Sequence, residues 1–111
     1  MEIMEKGVGD VVVLYFNGRL DAYAANEADT KLNLLAVKLP TRVVVNLDKL
    51  EYISSSGLRI LLAGLKKAKK GQGDVRLSCL QPYVKEVFDM AGFVQLFKIF
   101  DKEDEAVNSY Q

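Results

Sequence analysis

The chain has 111 residues, of which 50% are hydrophobic and 27% are charged, and this balance is typical of one globular domain with its own core. Fifteen basic and fifteen acidic residues give a formal net charge of +0, which argues against a nucleic-acid-binding protein, because such a protein needs a basic surplus on one face. The absence of histidine and the single cysteine exclude histidine-dependent catalysis, metal sites built from imidazole or thiolate, and an internal disulfide.

The first part of the chain predicts a β-hairpin followed by a helix. Residues 11–16 are almost all apolar and form a central strand, and residues 3–6 form a short antiparallel strand at its edge. A helical pattern then begins, and Asp21 is its predicted N-cap. The pattern ends at Pro40 and places five apolar residues on one face: Ala25, Ala28, Leu32, Leu35 and Leu39.

The rest of the chain repeats the alternation of strand and helix. Residues 42–47 and 75–80 are predicted strands, the second of them with Cys79 as a buried residue, and residues 97–100 form a last edge strand. A striped helix covers residues 58–70, Pro82 opens a shorter helix, and Asp101 caps a final one. This order predicts a single α/β domain over residues 1–111, with a mixed, mostly parallel sheet of four to five strands and about four helices.

Nothing in the sequence predicts export or membrane insertion. No apolar run approaches the roughly 20 residues of a membrane span, and residues 1–5 lack the layout of a signal peptide. A single cysteine fits a reducing cytoplasm, so we expect a cytoplasmic protein that uses no metal and no cofactor.

Three consecutive serines, Ser54, Ser55 and Ser56, stand with Gly57 between the second predicted strand and its helix. Free backbone N–H groups and the positive end of the helix dipole meet at such a place, so a phosphate there would be stabilised. One of the three hydroxyls must cap the helix and is therefore occupied. Gly57 either lets a partner approach the backbone closely or supplies the small residue that a tight turn needs.

Charged residues around this serine turn leave alternatives open. Arg59, four residues after Ser55, either pairs with a phosphate or a partner carboxylate or is a solvated charge. Asp21 either contacts a partner from the neighbouring loop or only caps its helix. The lysines between Lys66 and Lys70 are interpreted as a solvated helix end, with contact to a nucleotide or a membrane as the alternative.

Three ordered elements resemble the STAS domain family, and specifically the stand-alone anti-sigma factor antagonists of bacteria. The serine-turn motif corresponds to the run from Asn46 to Leu58, and an upstream element corresponds to Gly18-Arg19-Leu20-Asp21. A downstream pattern corresponds to Ala91-Gly92-Phe93, Phe97-Lys98-Ile99 and Glu105-Ala106. The chain departs from the family motif at Asn46 and Ser54, which replace acidic residues.

The resemblance implies a STAS-like fold and a phosphorylation switch. The unmodified protein would bind an anti-sigma factor and free the sigma factor. The anti-sigma factor would also be an ATP-dependent serine kinase that ends the complex by phosphorylating the acceptor, and a serine phosphatase would reset the cycle. The acceptor corresponds to Ser55, with Ser54 or Ser56 as alternatives. The implied partner-binding residues are Asp21, Ser54, Ser55, Ser56, Gly57 and Arg59.

Two other functions remain open, and neither would involve a switch. The first is a STAS scaffold or accessory subunit of a signalling or transport complex, in which the serine turn is only structural. The second is a small nucleotide-binding protein or enzyme that uses the turn as an anion nest. It is disfavoured because the turn lacks the glycine-rich run and lysine of a phosphate-binding loop. The leading hypothesis predicts no enzymatic activity, and a monomer or a weak dimer through an uncovered edge strand.

Overall fold

The computed structural model describes residues 1–111. Its β-strands are β1 (Glu2–Val8), β2 (Val11–Leu20), β3 (Arg42–Asn46), β4 (Leu50–Ile53), β5 (Asp74–Ser78) and β6 (Ile99–Phe100). Its α-helices are α1 (Ala22–Ala36), α2 (Ser55–Lys70), α3 (Pro82–Met90) and α4 (Glu103–Asn108), and one turn of 3-10 helix covers Phe93–Gln95. No helix has the length and apolar character needed to span a bilayer.

The strands form one mixed sheet in the order β1-β2-β3-β5-β6, with β4 pairing to the C-terminal end of β2. The β1–β2 pair is antiparallel and every other pair is parallel. The predicted α/β fold with an antiparallel edge and four α-helices is therefore confirmed. Because the parallel strands run the same way, α1, α2 and α3 all begin at the carboxyl edge of the sheet.

The predicted count of four to five strands is wrong, because the sheet has six. The missing strand is β4, which the sequence presents only as a connector. Four residues that include the exposed Glu51 carry too little periodicity to predict a strand. The pairing also depends on a bulge in β2, where Gly18 adopts a φ of +108°, and this bulge lets β2 continue past its predicted end to Leu20.

The main core lies between the sheet and the three longer helices. It contains 19 buried residues, among them Phe16 from β2 and Phe88 from α3. The helix α4 covers the other face of the sheet with a smaller cluster of 5 buried residues, including Ala106 and Val107. Just beyond α4, the Tyr110 hydroxyl lies 2.7 Å from the carbonyl oxygen of Val43 and 2.8 Å from that of Asp74. Burial raises the pKa of Tyr110 above its ordinary value of 10.0, and this side chain fixes the end of the chain to the sheet.

Three local predictions are wrong. Helix α1 ends at Ala36, and Leu39 is 68% exposed rather than buried on the helical face; the residue before a proline disfavours the helical conformation, so the helix stops before Pro40. Cys79 follows β5, is half-buried and has a φ of +62°, so it is not a strand residue. Lys102, rather than Asp101, occupies the N-cap position of α4.

Candidate functional site

The serine turn lies where β4 ends and α2 begins, next to the end of β2. Leu20 and Ile53 are register partners in the parallel β2–β4 pair. The backbone N–H of Ser54 donates to the carbonyl oxygen of Leu20 at 2.9 Å. These contacts place the first turn of α2 beside the loop that leads into α1.

The three serines have different environments. Ser54 is the N-cap of α2, and its Oγ accepts a hydrogen bond from the backbone N–H of Gly57 at 3.0 Å. Ser55 is the first residue of the helix, is exposed, and makes no side-chain hydrogen bond within the chain. Ser56 is half-buried. Ser54 therefore fills the capping role that the sequence left unassigned, and Ser55 has the uncommitted hydroxyl.

Gly57 is buried beneath the turn. A Cβ at this position would lie 2.8 Å from Cγ of Leu20 and 2.9 Å from its carbonyl oxygen. Real Cβ atoms do not approach other heavy atoms so closely, so only glycine fits without movement of β2. The burial favours the packing explanation for Gly57 over direct contact with a partner.

Asp21 and Arg59 flank the turn on two helices. Oδ1 of Asp21 accepts a hydrogen bond from the backbone N–H of Ala24 at 2.9 Å, so Asp21 caps α1 as predicted. Its position after Leu20 places it beside Ser54, the cap of α2, so the positive ends of two helix dipoles lie side by side. Arg59 is exposed one turn after Ser55 and forms no ion pair.

Two exposed side chains near this edge, those of Tyr23 and Arg19, were not predicted as site residues. Tyr23, in the first turn of α1, is 93% exposed. The guanidinium of the exposed Arg19 lies 4.3 Å from the ring centre of Tyr52, which is half-buried. Tyr23 lies outside the apolar face of its helix in the sequence pattern, and this position could have predicted an exposed aromatic side chain. Exposed aromatic and arginine side chains are the types that most often anchor protein interfaces.

Asn46 does not contact the serine turn, although it belongs to the same motif. Its Nδ2 donates to Oε1 of Glu103 in α4 at 3.0 Å, and its Oδ1 accepts the backbone N–H of Asp48 at 2.9 Å. The other Glu103 oxygen lies 3.1 Å from Nζ of Lys6. Burial opposes ionisation of Glu103, but hydrogen bonds from Tyr15, Asn46 and Lys6 outweigh it and hold its pKa below the ordinary value. Asn46 therefore joins α4 to the β3–β4 loop.

The carboxyl edge presents groups that can contact a protein partner. No group of three or more His, Cys, Asp or Glu side chains is placed to hold a metal ion. What the carboxyl edge presents is a free hydroxyl, an unpaired guanidinium and an exposed aromatic ring around two helix N-termini. This arrangement can bind a protein surface, and it can accept an anion on Ser55.

Comparison with known proteins agrees with this geometry. A protein of Bordetella bronchiseptica that is assigned as an anti-sigma factor antagonist, BtrV, is 29% identical over 111 residues, covering 100% of this chain and 96% of that protein. The anti-sigma-B factor antagonist of Listeria monocytogenes is 25% identical over 105 residues, covering 95% of this chain and 91% of that protein.

Solved structures establish the same fold. The anti-sigma factor antagonist SpoIIAA in its unphosphorylated form has a TM-score of 0.84 at 21% identity, with 98% of this chain and 96% of that chain covered. The phosphorylated form of SpoIIAA from Bacillus has a TM-score of 0.77 at 20% identity, with 99% and 100% covered. The family model of the STAS domain matches residues 2–106, and the chain therefore belongs to the STAS domain family.

Proposed function

We propose that this protein is an anti-sigma factor antagonist whose binding to the anti-sigma factor is switched by phosphorylation of Ser55. The observation that carries the proposal is the difference between two neighbouring hydroxyls. Ser54 is committed to capping α2, whereas Ser55 is exposed and unpaired at the first helical position. A phosphoacceptor must be free to reach a kinase, so Ser55 is the better acceptor.

A phosphate on Ser55 changes the interface more than it changes the stability of the domain. It adds roughly −1.5 to −2 charges to a chain whose formal net charge is +0. The helix dipole and the free N–H groups favour the phosphate by about 0.3–2 kcal/mol, so α2 stays folded. The partner is then released because a bulky dianion replaces a small neutral hydroxyl at the interface.

Arg59 gives this switch a specific mechanism. It lies one helical turn after Ser55 and has no carboxylate partner within the chain, so in the unmodified protein it is available to a carboxylate of the anti-sigma factor. Residues four apart on a helix are neighbours, and a phosphate is a strong bidentate acceptor for a guanidinium. Phosphorylation would therefore draw Arg59 away from the partner, while Tyr23 supplies apolar contact area in the unmodified complex.

The relatives support the antagonist role and the existence of a phosphorylated state. Two of them bear the name of anti-sigma factor antagonist, and SpoIIAA has been solved in both an unphosphorylated and a phosphorylated form. We propose that this chain likewise acts in the cytoplasm as a binding regulator rather than an enzyme, meets a serine kinase and a serine phosphatase, and is a monomer or a weak dimer.

The first experiment maps the phosphate. The protein and its Ser54→Ala, Ser55→Ala and Ser56→Ala variants are incubated with a cognate anti-sigma factor kinase and ATP, and the products are analysed by mass spectrometry. We expect one phosphate, on Ser55, which is lost only in Ser55→Ala. A phosphate on Ser54 or Ser56 would assign the switch to another hydroxyl.

The second experiment measures binding to the same kinase with Ser55→Asp and the matched, uncharged Ser55→Asn. We expect Ser55→Asp to bind more weakly than Ser55→Asn, because only the aspartate introduces a negative charge. Equal binding of both variants, with no phosphate in the first experiment, would contradict the switch and favour the non-switching scaffold. Tight binding of nucleotide by the isolated protein would instead support the nucleotide-binding alternative.

A further inference from the structure

Three aliphatic side chains are exposed at the end of the molecule opposite to the serine turn. Leu34 is 63% exposed, Val37 is 78% exposed and Leu39 is 68% exposed. Leu39 lies against Gly71, the residue after α2, since a Cβ on Gly71 would collide with it. The end of α1, the loop after it and the end of α2 therefore form one surface.

Cations lie beside part of this surface: Arg42 and Lys70 line it with Leu39, whereas Leu34 lies beside Glu5, Glu27 and Lys31. Residues 33–42 and 64–73 contain no acidic residue, and they carry Lys38, Arg42, Lys66, Lys67, Lys69 and Lys70. Arg42 pairs with Asp10 at 3.3 Å, and Lys67 donates to Asn33; the other four have no partner of opposite charge. We call Val37, Leu39 and the six basic residues the basic aliphatic end. A helix dipole places only about half a negative charge at the C-terminus. Six basic residues are therefore more than the dipole alone would favour.

We propose that the basic aliphatic end binds the surface of an anionic lipid membrane. Solvent-exposed aliphatic side chains beside basic residues are the combination that lies at the boundary between headgroups and acyl chains. Clusters of four to eight basic residues bind anionic lipid, and each one near the surface contributes roughly a fivefold gain in affinity. Val37 and Leu39 protrude with exposures of 78% and 68% instead of lining a deep groove, and this favours a lipid surface over an acidic protein segment.

The geometry separates this surface from the switch. Helix α2 has 16 residues and is therefore about 24 Å long, with Ser55 at one end and Lys70 at the other. A protein docked on lipid through its basic aliphatic end would leave the carboxyl edge of the sheet directed away from the membrane. The proposal does not depend on the function proposed for Ser55.

The test is co-sedimentation of the full chain with vesicles of phosphatidylcholine, with and without phosphatidylglycerol. We expect binding only when phosphatidylglycerol is present, and weaker binding as salt rises. Lys69→Gln and Lys70→Gln should each reduce the affinity roughly fivefold. Val37→Gln and Leu39→Gln should also reduce it, because binding includes insertion of apolar side chains.

Matched controls lie on α3, where Lys85→Gln and Met90→Gln change an exposed lysine and an apolar residue that is 89% exposed. These variants should bind as the unaltered protein does, and circular dichroism should show that all variants are folded. Binding that does not require phosphatidylglycerol, or no binding at all, would overturn the proposal. Equal loss in the α3 controls would also overturn it, because binding would then be a property of the whole protein surface. No loss in Val37→Gln and Leu39→Gln would overturn it too, because binding would then depend on charge alone.

Discussion

The substitution Asn46→Asp restores the acidic residue of the family motif, yet we expect it to destabilise this protein. Asn46 donates a hydrogen bond to the ionised Glu103 at 3.0 Å. An aspartate has no hydrogen to donate when ionised, so two carboxylates would face each other at the same place. An asparagine at residue 46, where the family motif has an acidic residue, therefore suits the neighbouring Glu103 of this chain.

The magnitude follows from the two effects. A hydrogen bond to a charged group contributes about 1.5–3 kcal/mol, and two like charges about 4 Å apart repel by roughly 1 kcal/mol in water. Glu103 is partly exposed, with 24% of its side chain accessible, and Lys6 remains beside it. Solvent and Lys6 screen the repulsion, so we expect Asn46→Asp to lower the free energy of unfolding by about 2 kcal/mol at neutral pH.

Urea denaturation at several pH values tests this explanation. In the variant, the facing carboxylates bind a proton more readily in the folded than in the unfolded chain, so stability falls as pH rises. In the unaltered protein the pKa of Glu103 is below its ordinary value of 4.5, so its contribution is present above that value and is lost as pH falls further. The difference between the two proteins should thus be largest at neutral pH and should shrink towards pH values near and below 4.5.

The double variant Asn46→Asp, Glu103→Gln is the matched control. The glutamine amide introduced by Glu103→Gln can donate to the new aspartate, so a hydrogen bond of reversed direction replaces the lost one. We expect the double variant to recover most of the lost stability. An Asn46→Asp protein that is as stable as the unaltered one at neutral pH, or a double variant that is less stable than Asn46→Asp, would refute the reasoning.

Three further predictions concern the free energy of unfolding measured with urea. Ser54→Ala removes the N-cap of α2 and should cost about 1 kcal/mol, whereas Ser55→Ala should change stability by less than about 0.5 kcal/mol; equal effects would contradict the capping assignment. Gly57→Ala should cost about 1–3 kcal/mol by overpacking, while Gly7→Ala, with open space around the new Cβ, should not; a neutral Gly57→Ala would show that β2 moves freely. Tyr110→Phe removes the hydroxyl that hydrogen-bonds to the backbone of Val43 and Asp74 and should cost about 0.5–1.5 kcal/mol; no loss would mean that the hydroxyl does not fix the chain end.

Much of the fold could be predicted because long elements carry strong patterns. The apolar strands near Val13 and Val44 and the stripe of α2 are repeated signals over many residues, and their alternation predicts a parallel sheet with α-helices. The caps at Asp21 and the serine turn were also readable, because capping is a property of a few adjacent residues. The strand β4 could not be predicted, because this four-residue strand depends on the bulge at Gly18 in a distant segment.

The candidate site divides in the same way. The amino-acid sequence by itself determined that three hydroxyls stand at the start of a helix, that no histidine is present, and that the chain resembles the STAS domain family. Only the tertiary structure decided which hydroxyl caps the helix, that Gly57 packs on Leu20, that Asn46 bonds to Glu103, and that Leu39 is exposed. The physical reason is range: propensity and capping act between near neighbours, whereas burial and side-chain pairing depend on residues that the fold brings together from far apart in the chain.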